Sequence, residues 1–160
     1  MATRCNIMVT SDWKTFASAY CHLDGGLWGV GETLDKSYND TKSVLDLVAL
    51  GAVSSLLDTV EETCTDDNNV HRNHFSAVEM KTEENVFESG AGEEYLYVWD
   101  ANQEMWFVGT YYTKTPNWRN LSIALKEWQN KVDAKLIFGE DYRDYKKCLT
   151  NLHNEYILVI

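Results

Sequence analysis

Hydrophobic and polar residues alternate with a period of two in two segments near the N-terminus. Residues 4–10 (RCNIMVT) and 15–22 (TFASAYCH) show this alternation, with Ile7 and Val9 on one face of the first segment. Such alternation is typical of half-buried strands. Because only residues 11–14 separate the segments, the pattern predicts an antiparallel strand pair joined by a short turn.

The clearest strand signals lie in residues 94–100 (EYLYVWD) and 105–112 (MWFVGTYY). The first of these segments has an aromatic face and an aliphatic face, formed by Tyr95, Tyr97 and Trp99 and by Leu96 and Val98. A strand that is apolar on both faces is covered on both sides. We therefore predict a central aromatic hairpin that turns at residues 101–103.

Other segments carry the start and stop signals of helices. Asp40 or Thr41 can cap a helix that ends at Gly51, and Ser55 with Asp58 three residues later resembles the capping box of another. A helical segment is also predicted from about Gly31 and at residues 140–151, whereas the polar residues 65–72 predict a loop.

The most regular helical repeat lies after the aromatic hairpin. Thr115 can cap this helix, and Pro116 suits its first position. Its apolar face recurs at spacings of three and four and comprises Trp118, Leu121, Leu125, Trp128 and Val132.

No internal repeat or linker divides the 160 residues. Residues 74–80 and 155–160 predict two further strands. Together the elements predict a single α+β domain over residues 1–160, with a mainly antiparallel sheet whose central aromatic hairpin packs against four to five helices.

The charge of the chain is strongly uneven. Its 25 acidic and 14 basic residues give a formal net charge of −11. Residues 58–104 contain thirteen acidic and two basic residues, whereas residues 1–57 carry −2 and residues 105–160 carry +2. A field of this sign repels the phosphates of nucleic acids and of anionic membranes. The sequence therefore predicts no direct binding of DNA, RNA or lipid through the acidic segment.

Two interpretations of the acidic segment are open. A run of charge is usually a solvated face. Thirteen carboxylates against two cations, however, create a self-repulsion that solubility does not require. A row of carboxylates on a folded surface can imitate duplex DNA, which carries one phosphate per about 1.7 Å of its axis. The residues that we predict to bind a partner in this way are Asp66, Asp67, Glu83, Glu84, Glu88, Glu93 and Glu94.

The sequence indicates neither export nor a cofactor. The first ten residues lack the apolar segment of a signal peptide, and no apolar run approaches the about eighteen residues of a membrane span. The four cysteines are far apart and include no Cys-x-x-Cys pair, so we expect reduced thiols and no metal site. These features predict a cytoplasmic protein that needs no cofactor.

Three short motifs lie close together in the N-terminal third. The chain begins MATRCNI, and YCHLDGG at residues 20–26 precedes GVGETL at residues 29–34. This segment resembles a family of small phage and prophage proteins of unknown function, which begin MATRxNI and contain YCHWDGYPxGxGxxL. The resemblance covers about residues 1–57, and Leu23, Gly26 and Leu27 depart from it. It implies a phage or mobile-element accessory protein in a bacterial host.

His22 and Asp24 form a second candidate site. On a strand these two residues share a face, so the carboxylate can orient the imidazole for general-base work. The glycine-rich turn at residues 25–31 can close a pocket there, and Arg119 can supply a positive charge to it. The plainer interpretation is that Asp24 starts a turn and His22 bonds to the backbone. The glycine spacing matches neither the P-loop nor the dinucleotide fingerprint.

These features support two functions of different classes. The favoured one is a phage-encoded inhibitor, not an enzyme, that binds a host defence protein such as a CRISPR or restriction component through an acidic surface that mimics nucleic acid. The alternative is a small-ligand protein, either a nucleotide-signal sponge or a hydrolase, with a pocket near His22 and Asp24. A structure in which His22 and Asp24 converge in an open cleft favours the alternative.

Overall fold

The computed structural model describes residues 3–72, 79–86, 94–110 and 118–133. The strands of this part are β1 (Cys5–Thr10), β2 (Thr15–Cys21), β3 (Ala52–Val53), β4 (Glu79–Thr82), β5 (Tyr95–Asp100), β6 (Met105–Thr110) and β7 (Arg119–Asn120). The helices are a π-helix (Leu27–Gly31), α1 (Glu32–Ser37), α2 (Thr41–Val48), α3 (Val60–Thr65), α4 (Asp67–Arg72) and α5 (Leu121–Asp133).

The strands form one seven-stranded sheet in the order β3-β2-β1-β5-β6-β7, with β4 on a separate part of β2. The prediction of a mainly antiparallel sheet is wrong, because β1 runs antiparallel to β2 but parallel to β5, and β3 runs parallel to β2. The sheet is therefore mixed. Local turn signals in the sequence indicate the hairpins. Strands β1 and β5, by contrast, pair although more than eighty residues separate them, and no local signal indicates such a pairing.

The predicted set of four to five helices packed against the hairpin is also wrong. Among the described residues, only α2 and α5 are longer than six residues. Helix α5 packs on β6, while α2 packs on β1 and β2. The other helical segments are five or six residues long and lie in the connections between strands.

The predicted aromatic hairpin is confirmed. Strand β5 is buried along its whole length and pairs with β6 from Tyr95–Thr110 to Asp100–Met105. Its aromatic face belongs to the larger core, together with residues of α2 and α5, and its aliphatic face belongs to a smaller core with Met8, Phe16 and Val86. Both faces of this central strand are thus covered.

Several local predictions can be compared with the structure. The strand pair β1–β2 and the helix cap at Asp40 are confirmed, since Asp40 Oδ1 accepts a hydrogen bond from Ser43 N at 2.8 Å. The next helix begins later than predicted, at Val60, where Thr59 accepts from Glu62 N at 3.1 Å. The predicted loop at residues 65–72 is wrong, because α4 occupies most of it.

The helix that follows the hairpin begins at Leu121, three residues after Trp118, because Arg119 and Asn120 pair with β6 as β7. The buried face of α5 comprises Leu121, Ala124 and Trp128. The predicted cap at Thr115 and Pro116 lies outside the described residues, as do the predicted helix at 140–151, the predicted strand at 155–160 and most of the one at 74–80. None of the described helices is long and apolar enough to cross a membrane.

Candidate functional site

Three turns lie together at one end of the sheet, which we call the three-turn end. These turns comprise residues 11–14, 83–86 and 101–104. Glu83 N donates a hydrogen bond to the carbonyl oxygen of Lys14 (3.1 Å), and Asn102 Nδ2 donates to the carbonyl oxygen of Ser11. The first turn is therefore bonded to both of the others.

Asp100 is a buried hydrogen-bond acceptor that joins two turns of the three-turn end. Its Oδ2 accepts from Trp13 Nε1 (2.7 Å) and Gln103 Nε2 (2.9 Å), while its Oδ1 accepts from the backbone amides of Asn102 (2.8 Å) and Gln103 (3.1 Å). The residue is only 2% exposed. Since Trp13 belongs to one turn and Gln103 to another, one carboxylate fixes both.

Replacing Asp100 with Asn is expected to remove a pH-dependent contribution to stability. Burial opposes ionisation of Asp100, but hydrogen bonds from Trp13, Gln103 and Asn102 outweigh it and lower its pKa. A carboxylate whose pKa is lowered by folding contributes stability that is present above the unfolded-state pKa of about 3.9 and is lost as the pH falls through the folded-state pKa.

Urea denaturation of wild type and Asp100→Asn at several pH values tests this expectation. Wild type should exceed the variant in stability at neutral pH, and the difference should shrink below about pH 4. A difference that stays constant into the acid range would show that the carboxylate's ionisation contributes nothing.

The three-turn end carries four exposed carboxylates. They belong to Asp12, Glu83, Glu84 and Glu104, and the only basic residue in these turns is Lys14. Asp12 Oδ1 accepts from the backbone amides of Thr15 and Lys14, both at 2.9 Å, and these bonds lower its pKa. Negative charge is therefore presented on backbone that hydrogen bonds hold in place.

The structure divides the seven acidic residues predicted to bind a partner. Glu83 and Glu84 are exposed at the three-turn end. Asp67 is exposed and Asp66 half-buried near Asn69, which anchors α4 close to the opposite end of β2. The seven residues of β2 separate these two ends by about 23 Å. The two groups therefore do not form one continuous row.

Glu94 is in a third place, at the start of β5, where its amide donates to the carbonyl oxygen of Arg4 (2.8 Å). Its side chain is partly buried, and burial raises its pKa. The positive charge of Arg4 offsets only part of this rise. Glu88 and Glu93 lie outside the described residues.

Asp12 and Glu104 are not among the seven acidic residues predicted to bind a partner. Asp12 lies far from the acidic segment in the chain, and Glu104 closes the hairpin turn. The two residues share one end of the sheet because β1 and β5 are parallel, so the turns that follow these strands lie side by side. Had β1 and β5 been antiparallel, the turns would lie at opposite ends of the sheet.

The residues of the alternative pocket are not brought together. Nδ1 of His22 lies 2.8 Å from Tyr20 Oη, and the backbone amide of His22 donates to the carbonyl oxygen of Val53 (3.1 Å). Asp24 is exposed at a turn with φ 55°. Arg119 lies on β7 and pairs with Glu127 of α5. Strands β2 and β7 are four positions apart in the sheet, or about 19 Å.

The glycine-rich turn is filled by the chain's own atoms. A Cβ at Gly26 would overlap the Trp28 ring, and one at Gly29 would overlap the carbonyl oxygen of Asp24. The amides of Gly25 and Val30 donate to carbonyl oxygens of the same chain, at 2.9 and 2.8 Å. A phosphate-binding loop instead directs its amides at the ligand. The contacts support a structural role for these glycines.

In the part of the chain that the structure describes, no group of three or more His, Cys, Asp or Glu side chains is placed to hold a metal ion. Comparison of the chain with protein-family models, with curated proteins and with solved structures finds no match. The interpretation of function therefore depends on the geometry of the surface.

Proposed function

We propose that this protein is a phage-encoded inhibitor that binds a nucleic-acid-dependent defence protein in the bacterial cytoplasm through the three-turn end. The observation that carries the proposal is the set of four exposed carboxylates on turns that hydrogen bonds join together. Such a surface presents negative charge to a groove that otherwise accepts phosphates. The inhibitor acts by occupying this groove and needs neither catalysis nor a cofactor.

The strength of such a surface depends on how its charges are held. Exposed ion pairs are individually weak, because water and salt screen them. Several pairs formed at once bind more tightly when the side chains start from fixed backbone, since less conformational entropy is lost. The hydrogen bonds at Asp12, Asp100 and Asn102 provide that fixed backbone.

The partner class is supported by two features of the sequence. The net charge of −11 disfavours nucleic acid itself as the ligand of the acidic surface and suits a protein whose groove is basic. The resemblance of residues 1–57 to small phage and prophage proteins favours a target that phages must inactivate. We propose no ligand-binding function, because no contact in the described ranges brings His22, Asp24 and Arg119 together.

A plating assay tests the proposal. The protein is expressed in bacterial strains that each carry one defined restriction or CRISPR system, and the strains are challenged with a phage that the system blocks. We expect plaque formation to be restored in at least one strain, and the purified defence complex of that strain to be inhibited less at high salt than at low salt. If plaque formation were restored in no strain of a broad panel, the proposal would be contradicted.

A further inference from the structure

Two cysteines lie directly opposite each other on the central strands. Cys5 of β1 and Cys21 of β2 are register partners, both are fully buried in the larger core, and neither forms a disulfide. Opposed residues of antiparallel strands have Cα atoms about 4.5 to 5.5 Å apart, which lies inside the range of disulfides, about 4.4 to 6.8 Å. The backbone spacing of this pair therefore permits a disulfide.

The reduced thiol of Cys21 takes part in the structure around the glycine-rich turn. Cys21 Sγ lies 3.5 Å from the carbonyl oxygen of Leu23 and 3.9 Å from that of Ser54. Tyr97 of the same core donates to the carbonyl oxygen of Gly25 at 2.8 Å. The thiol of Cys21 is thus a donor at the point where the chain leaves β2 for this turn.

We infer that Cys5 and Cys21 form a redox switch, in which oxidation joins β1 to β2 and releases the contacts of Cys21 at the start of the glycine-rich turn. Glutathione disulfide is the class of oxidant. One thiolate attacks it and displaces one glutathione, and the second thiolate then attacks the mixed disulfide and displaces the other. The two cysteines lose two electrons and two protons, and glutathione disulfide gains them as two glutathione thiols.

The location of the pair determines how the switch behaves. Because both thiols are fully buried, an oxidant reaches them only when β1 and β2 separate transiently. The reaction is therefore slow in the native state and faster in mild denaturant. Glutathione can reduce the bond by the same exchange run in reverse, once the strands separate. The bond is accordingly reversible and differs from a permanent cross-link.

Peptide mapping of the wild-type protein tests whether the bond forms. The protein is incubated with glutathione disulfide, with and without urea below the unfolding transition, and its remaining thiols are alkylated. We expect a cross-linked peptide pair containing Cys5 and Cys21, formed faster in urea and removed by dithiothreitol. The Cys64→Ser variant, which changes a half-buried cysteine of α3, should give the same pair. Recovery of Cys5 and Cys21 as alkylated thiols or separate glutathione adducts would overturn the inference.

Hydrogen exchange tests whether the bond acts as a switch. The amides of Gly25 and Val30, which close the glycine-rich turn, are expected to exchange faster in the oxidised protein than in the reduced protein. The amides of Asn102 and Gln103 at the three-turn end serve as internal controls and should be unchanged. Equal exchange at Gly25 and Val30 in the two states would overturn the switch even if the disulfide forms.

Discussion

Replacing Asn69 with Ala is expected to lower the free energy of unfolding by about 3 to 5 kcal/mol. Asn69 is fully buried, and its Oδ1 accepts from the amides of Ser54 (2.6 Å) and Ser55 (2.9 Å). Its Nδ2 donates to the carbonyl oxygens of Ser55 (2.8 Å) and Thr63 (2.6 Å). The alanine variant leaves four backbone groups without this partner, and each buried one costs about 1 to 3 kcal/mol.

Urea denaturation of wild type, Asn69→Ala and Val70→Ala measures this effect. Val70 lies on the same helix with 52% of its surface exposed, so its truncation should change stability by less than about 0.5 kcal/mol. A loss at Asn69 as small as that at Val70 would mean that Asn69 does not hold α4 to the chain beyond β3.

Replacing Gly29 with Ala is expected to destabilise the protein by about 2 to 3 kcal/mol, the effect of forcing extra volume into packed structure. The new Cβ would overlap the carbonyl oxygen of Asp24, which is backbone and already accepts from Val30 N. Asp24 has φ 55°, so the turn has little room to shift without strain.

Gly31→Ala is the matched control, because it adds the same methyl group to the same π-helix. The nearest atom to its Cβ is the hydroxyl of Tyr97 at 3.3 Å, the end of a side chain rather than backbone, and it needs to move by only a few tenths of an ångström. We expect a change of less than about 1 kcal/mol in the thermal or urea transition. Equal losses at Gly29 and Gly31 would contradict the packing that the structure shows around Asp24.

Local sequence patterns predicted the elements that form between residues close together in the chain. The alternation in β5 and β6 predicted the hairpin, and the carboxylate of Asp40 predicted the start of α2. Helix α4 was not predicted because its sequence, DNNVHR, has no apolar periodicity. Buried hydrogen bonds of Asn69 hold it to the chain that follows β3, and no local pattern indicates such a contact.

The difference between local patterns and long-range contacts also explains what was predicted of the candidate site. The uneven charge indicated an acidic surface, and Glu83 and Glu84 lie on the surface that we propose. The sequence could not show that Asp12 and Glu104 join them, because this depends on the parallel pairing of β1 and β5. Nor could it show that Glu94 is partly buried beside Arg4, since that depends on how β1 and β5 begin.

The central claim is that carboxylates at the three-turn end, rather than the net charge of the protein, bind the partner. Two triple variants separate these possibilities, since each removes three exposed carboxylates and changes the formal net charge from −11 to −8. One replaces Glu83, Glu84 and Glu104 with Gln at the three-turn end. The other changes the helix residues Glu32→Gln, Glu61→Gln and Asp67→Asn.

The decisive measurement is the plating efficiency of the blocked phage in the strain that the wild-type protein makes sensitive, with melting curves to show that both variants fold. We predict that the three-turn variant lowers plating by about tenfold or more and that the helix variant plates like wild type. Equal losses in both variants, or an undiminished three-turn variant, would contradict the account.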